Sequence, residues 1–150
     1  MDLFKLFSIS AAGMNAQRSR MSVISGNLAN VETTRTPEGG PYRRRDIVLQ
    51  AVPLAGRFSD VLAENADEST QGLMSVEVVD IKRSDRPPRL NFDPNHPDAD
   101  ANGYVALPDI NVMEEMVDLM AAVRSYEANL TAYNATKNLV RRLLDMGRAG

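Results

Sequence analysis

The chain has 150 residues, which suits one compact domain or a small domain carrying long helical extensions. Apolar residues make up 43% of it but aromatics only 5%, with no tryptophan, so helix packing on leucine, valine, alanine and methionine is favoured over an aromatic-rich β core. A net charge of −3 with both signs mixed argues against a dedicated nucleic-acid binder, and the lack of cysteine excludes disulfides, thiolate metal sites and cysteine nucleophiles.

The opening run Met1-Asp2-Leu3-Phe4-Lys5-Leu6-Phe7 is apolar but brief. It lacks the basic start, long apolar core and small-residue cleavage site of a secretory signal, so any export is expected to use no cleaved peptide. No run approaches the ~20 apolar residues of a membrane span.

From there the spacing predicts a helix over Leu3 to Ala29. Leu3, Phe7, Ser10, Met14, Gln17, Met21, Ile24, Leu28 and Val31 recur in alternating steps of four and three and make one face a seam. Leu6, Ile9, Gly13, Ala16 and Val23 form a second stripe. Thr33, Thr34, Pro37, Gly39, Gly40 and Pro41 stop the helix. Asn27 and Asn30 are placed to satisfy backbone groups at its end or to bond a neighbouring subunit. The triplet Arg43-Arg44-Arg45 beside Asp46 reads as strand-edge charge or a contact to an acidic neighbour, since a nucleic-acid patch extends further.

In the middle, Tyr42 to Val52 and Ser75 to Lys82 read as strands. Ala55 to Gly72 reads as an acidic loop with one helical turn near Phe58 to Leu62, and Arg86-Pro87-Pro88-Arg89 and Asp93-Pro94-Asn95-His96-Pro97 as extended or turning linker. The run from Asp98 to Gly103 matches the opening of a calcium loop, with Asp98, Asp100 and Asn102 at ligand positions and Asp109 at the closing place. Against it stand the short closing Asp, Pro108 before it and Pro97 where a helix should enter. The competing reading is an acidic turn that caps its own backbone. His96 is the only histidine, and no nucleophile, phosphate-loop or zinc-protease motif accompanies it, so an enzyme has no support and no cofactor is implied.

The last element is predicted as a helix from Ile110 to Met146, roughly 55 Å long at about 1.5 Å per residue, with Asp109 as its N-cap. Its seam is Val112, Met116, Leu119, Val123, Tyr126, Leu130, Tyr133, Lys137, Val140 and Leu144. Val117, Ala121, Ala128, Ala132, Ala135, Leu139 and Leu143 add a stripe of mostly small residues. A helix apolar on two sides touches two neighbours, and wet apolar area is unfavourable by ~25 cal/mol per Å². The expected fold is α+β: terminal helices (1–35 and 104–150) forming a coiled-coil-like assembly domain, and a β-rich middle module (36–103). The assembly interface is expected at Leu3, Phe7, Met14, Met21, Ile24, Asn27, Leu28 and Asn30, with Val112, Met116, Leu119, Val123, Tyr126, Leu130, Tyr133, Val140 and Leu144. Ser10, Gln17 and Lys137 are polar residues set in these seams, where they would fix register or face solvent. The alternative is a compact monomer whose middle covers the spare faces.

Ala16-Gln17-Arg18, Ser25-Gly26-Asn27-Leu28-Ala29-Asn30 and Thr33-Thr34, taken with Pro108-Asp109-Ile110-Asn111, Glu115-Met116 and Arg124-Ser125-Tyr126-Glu127-Ala128-Asn129, resemble the two ends of bacterial flagellar rod and hook proteins. The stretches Thr33 to Tyr42 and Asp93 to Asp100 look like those of the short proximal-rod members. Asp109 stands where that family often has Asn. The resemblance implies a structural axial protein in the basal-body rod, which spans the periplasm. It also implies passage through the flagellar type III export apparatus and self-assembly in a helical tube. The implied partners are other proximal-rod and distal-rod proteins and the hook-basal-body adaptor near the membrane ring, with no nucleic acid. A soluble calcium-binding or adaptor module using Asp98 to Asn102 is the second reading.

Overall fold

The computed structural model describes residues 3–54 and 73–148. The elements run α1 (Leu3–Ala29), β1 (Arg45–Pro53), β2 (Met74–Arg83), β3 (Arg89–Phe92), β4 (Tyr104–Leu107) and α2 (Val112–Arg148), an α+β chain with a helix at each end. The turn expected near Phe58 to Leu62 lies outside the described residues, as does the whole of the expected loop from Ala55 to Gly72.

Helix α1 ends where it was expected. Asn30 closes it locally: its amide Nδ2 donates to the Gly26 carbonyl at 2.8 Å, and its Oδ1 accepts from the Thr33 hydroxyl at 3.1 Å. The chain then loops back, and the Tyr42 amide donates to the Thr33 carbonyl at 3.0 Å. Helix α2 starts two residues later than expected, because Asn111 and not Asp109 is its cap. Asn111 Oδ1 accepts the Met113 amide at 3.0 Å and its carbonyl accepts Glu115 N at 3.0 Å. The Ile110 amide already turns back to the Pro108 carbonyl, which places Asp109 too early to reach the first free helical donors. Asp109 lies instead 3.7 Å from Arg86.

The strands form two pairs, β1 with β2 and β3 with β4. The second pair is antiparallel, with Arg89 opposite Leu107 and Phe92 opposite Tyr104. Sequence reading finds neither strand: it ends its linker Arg86–Arg89 where β3 begins and places β4 within the terminal helical segment 104–150, since each has only four residues and lies between prolines. What makes them pair is the turn between them. Asp100 Oδ1 accepts the amides of Asn102 and Tyr104, both at 2.8 Å, and Asp93 N donates to the Gly103 carbonyl at 3.0 Å. The Phe92 and Tyr104 rings then meet edge to face across the strands, 5.3 Å apart.

Two compact units divide the chain, and each draws on both helices. The first comprises the described parts of Met1–Arg18, Leu49–Val79 and Val123–Gly150. In it the Phe7 and Tyr133 rings lie 5.0 Å apart, and Gly13 faces Asn129 so closely that a Cβ would stand 2.9 Å from the amide. The second comprises Ser19–Val48 and Asp80–Ala122, with a core of Ile24, Val105, Pro108, Ile110 and Ala122. Within each unit the two helices meet in the antiparallel sense.

Gly103 holds the β3–β4 turn in the left-handed region (φ 81°), and a Cβ there would lie 3.0 Å from the Phe92 ring and 3.3 Å from Pro94. Gly103→Ala is therefore expected to lower stability by about 1–3 kcal/mol in urea unfolding, the usual cost of a strained backbone position. Unchanged stability would contradict this account of the turn.

Candidate functional site

The described residues hold a buried polar knot and an exposed apolar helix edge. The knot lies in the second unit. Asn27, the third residue from the end of α1, is fully buried and uses every hydrogen-bonding group it has. Its Nδ2 donates to the Arg45 carbonyl at 2.9 Å and to Glu115 Oε2 at 3.1 Å. Its Oδ1 accepts the Arg45 amide at 2.9 Å and the Tyr42 hydroxyl at 3.1 Å. An amide can take part in four such bonds, so nothing is left unpaired.

Glu115, in the first turn of α2, is 1% exposed. Its second oxygen accepts Arg44 Nε at 2.5 Å, and Arg44 also pairs with Asp46 at 2.8 Å. Partial burial is the largest single influence on Arg44 and works against its charge, but the hydrogen bond to Glu115 together with the charges of Glu115, Asp46 and Asp118 outweighs it, and the guanidinium pKa rises. Burial likewise pushes the Tyr42 phenol upward and keeps its proton available to Asn27. One side chain thus ties the end of α1 to the start of β1 and the start of α2. The sequence seam passes over Glu115 in favour of Met116, because a carboxylate reads as a solvated first-turn residue until Arg44 and Asn27 face it.

The exposed edge belongs to α2. The positions this helix covers are Glu115, Leu119, Ala122, Tyr126, Asn129, Tyr133, Thr136 and Val140, again in steps of four and three, with Asp118 half-buried beside them and 3.4 Å from Arg20. Four of these, Leu119, Tyr126, Tyr133 and Val140, are in the expected seam. The alternate positions turn by one residue, so Met116, Val123, Leu130 and Lys137 face outward, with Val112 and Leu144. Small and polar residues therefore alternate with Leu119, Tyr126, Tyr133 and Val140 on the face toward the rest of the chain, and Gly13 lets the backbones approach opposite Asn129. Met113 is 69% exposed and Met120 53%. The small-residue stripe, from Val117 through Ala128 to Leu143, is exposed too.

On α1, Ile24 is buried, while Phe7, Met14, Met21, Leu28 and Asn30 are half-buried; the Leu3 side chain lies outside the described set. Ser10 is half-buried and Lys137 exposed, whereas Gln17 Oε1 is buried with no hydrogen-bond partner among the described residues.

The acidic turn has the bonds of a self-capping loop. Asp98 accepts the Thr34 hydroxyl at 2.8 Å, Asp100 caps backbone amides, and Asp109 pairs with Arg86. Among the described residues no group of three or more acidic or histidine side chains is placed to hold a metal ion. No helix among them is long and apolar enough to cross a membrane.

Two family matches cover the ends of the chain. Residues 7–35 match the family described as Flagella basal body rod protein, and residues 101–146 the Flagellar basal body rod FlgEFG protein C-terminal. The flagellar basal-body rod protein FlgC of Borreliella burgdorferi is 41% identical over 96% of this chain and 97% of its own. The FlgC proteins of Bacillus subtilis and Salmonella typhimurium are 41% and 35% identical, each over 99% of this chain and 100% of their own.

If the knot is what joins the helices to β1, Asn27→Ala should cost about 1–3 kcal/mol for each buried partner left unpaired. In urea unfolding the midpoint would fall with little change in slope. A midpoint within error of the unmodified chain would show the knot to be incidental. A separate check uses the exposed pair of Glu38 and Arg83, whose hydrogen bond holds the Glu38 carboxyl below its ordinary value. A depressed carboxylate favours the fold above its unfolded pKa and loses that contribution as pH falls through the folded value. NMR titration should place the Glu38 midpoint below that of an ordinary glutamate, and Arg83→Gln should bring it back.

Proposed function

The chain belongs to the FlgC family of flagellar basal-body rod proteins, and from that membership we propose that it is a proximal-rod subunit that transmits torque through packed terminal helices. It is a structural protein of the flagellar basal body and not an enzyme. In the proposal, residues 1–35 and 104–150 form a coiled-coil-like assembly domain and 36–103 an outer module. Neighbouring subunits, whether copies or other proximal-rod and distal-rod proteins, close over the faces that one chain leaves open. The subunit reaches the periplasm through the type III export apparatus, and the adaptor near the membrane ring is a further partner.

The observation that carries this reading is the outward edge of α2. Met113, Met116, Val117, Met120 and Val123 form a run of exposed large apolar side chains over three turns. Such a run is unfavourable in water and favourable against a second helix. Interlocked helices then resist twist because sliding breaks many packed contacts together. The calcium-loop reading has no comparable support, since Asp98 and Asp100 are engaged with Thr34 and with backbone amides.

Met116→Glu combined with Met120→Glu separates assembly from folding. Both side chains are about half exposed, so each change should alter monomer stability by no more than about 0.5 kcal/mol. In a strain lacking the gene, which is expected to build no complete rod, the variant should fail to restore rods or swimming. Normal basal bodies in the deletion strain would overturn the rod role, and full rescue by the variant would overturn the role of this edge.

A further inference from the structure

A cleft of about 560 Å³ opens beside the exit of α1, and four guanidiniums line it: Arg35, Arg43, Arg45 and Arg83. Glu38 is the only carboxylate in its lining, and Arg83 already holds it with two nitrogens. The Arg35 side chain is 81% exposed and reaches its nearest acid, Asp98, only at 3.8 Å. Among the described residues neither Arg43 nor Arg45 forms a close ion pair, although Arg45 is near enough to Glu38 to help hold that carboxyl below its ordinary value. Arg45 is nevertheless positioned: its guanidinium lies 5.5 Å from the centre of the Tyr42 ring, and its backbone is held at both N and O by buried Asn27. The cleft therefore offers exposed cations, Arg45 among them with its backbone fixed, on a chain with 20 acidic against 17 basic residues.

That imbalance says what the cleft fits. With so many guanidiniums gathered here, the rest of the chain is in acidic excess, and a neighbouring copy of it presents carboxylates. A nucleic acid would meet net repulsion and no free aromatic platform, since Tyr42 is taken by Asn27 and Arg45. Guanidinium forks match carboxylates in geometry. We propose that this cleft docks a carboxylate-bearing segment of an adjacent rod subunit, with Arg43 and Arg45 as its principal contacts. The inference rests on the rod reading and adds a polar, orientation-setting contact to the apolar helix edges. Exposed ion pairs are individually weak, so its role is to select register and partner.

The test uses the full chain with Arg43→Glu and Arg45→Glu, expressed in the deletion strain. Both side chains are exposed, so circular dichroism should show an unchanged fold. The variant should be exported yet retained in purified basal bodies at least ~10-fold less than the unmodified chain, with swimming lost. In solution, a labelled hexaglutamate peptide should bind the unmodified chain at about 0.05 M salt and be released near 0.5 M, as screening shortens. Binding to the variant should be weaker by at least ~10-fold, and inorganic phosphate at equal concentration should compete less than the peptide, because one phosphate engages fewer guanidiniums at once. Normal retention and swimming of the variant would overturn the proposal, as would phosphate competing as well as the peptide. A rodless deletion strain rescued by the variant would remove this inference alone, whereas a deletion strain with normal rods would remove the rod reading beneath it.

Discussion

Everything ordered around the second unit depends on one condition: Asn27 and Glu115 are out of water, so each must find its partners inside the chain. A buried amide or carboxylate left unpaired is costly, and the fold meets that demand with directional bonds from three different segments. Directionality is the point. An apolar contact tolerates a helix rotated by tens of degrees, but the four bonds of Asn27 are made together in only one arrangement of α1, β1 and α2. Tyr42 and the Arg45 backbone reach Asn27 only if the loop from Thr33 returns as it does. The polar knot thus specifies register, and apolar burial of Ile24, Val105 and Ala122 supplies attraction without orientation.

The same condition explains what could be read from the chain and what could not. Helix α1 was legible to its last residue because periodicity and the breakers after Ala29 agree. The α2 seam was legible in part. Leu119, Tyr126, Tyr133 and Val140 satisfy any apolar pattern, but the choice between Glu115 and Met116, or between Asn129 and Leu130, turns on what faces them. Gly13 is the hint that was present: a glycine within a helix admits close approach, and close approach calls for small or polar residues opposite. Asn111 lost to Asp109 as the expected cap because both are good capping residues, and only the turn at Pro108 to Ile110 decides between them. Strands β3 and β4 escaped because four-residue strands carry little periodicity. Their pairing comes from Asp100 and Gly103 in the turn.

Taken along its length, α2 separates two kinds of work. Its inward edge sets Glu115, Ala122, Asn129 and Thr136, short or polar groups, between Leu119, Tyr126, Tyr133 and Val140, and the short and polar members set how closely the chain closes on itself. Its outward edge carries methionine, valine and leucine, which attract any apolar face and specify little. Thioether side chains are flexible and polarizable, so the run of Met113, Met116 and Met120 adapts to surfaces of differing shape. A subunit that must meet neighbours unlike itself benefits from that tolerance.

In the proposed assembly, however, tolerance alone would leave subunits free to slip along the axis. Registers one turn apart bury similar apolar area on such a helix, so the area term cannot discriminate between them. Discrimination has to come from contacts that work at only one offset, which is the property of charged groups at fixed positions. The arginine-lined cleft is held to the same Asn27 that orders the helices, through the Arg45 backbone. An error in the knot would therefore displace the outer charges together with the helix end, and internal folding and external fit would stand or fall on one buried amide.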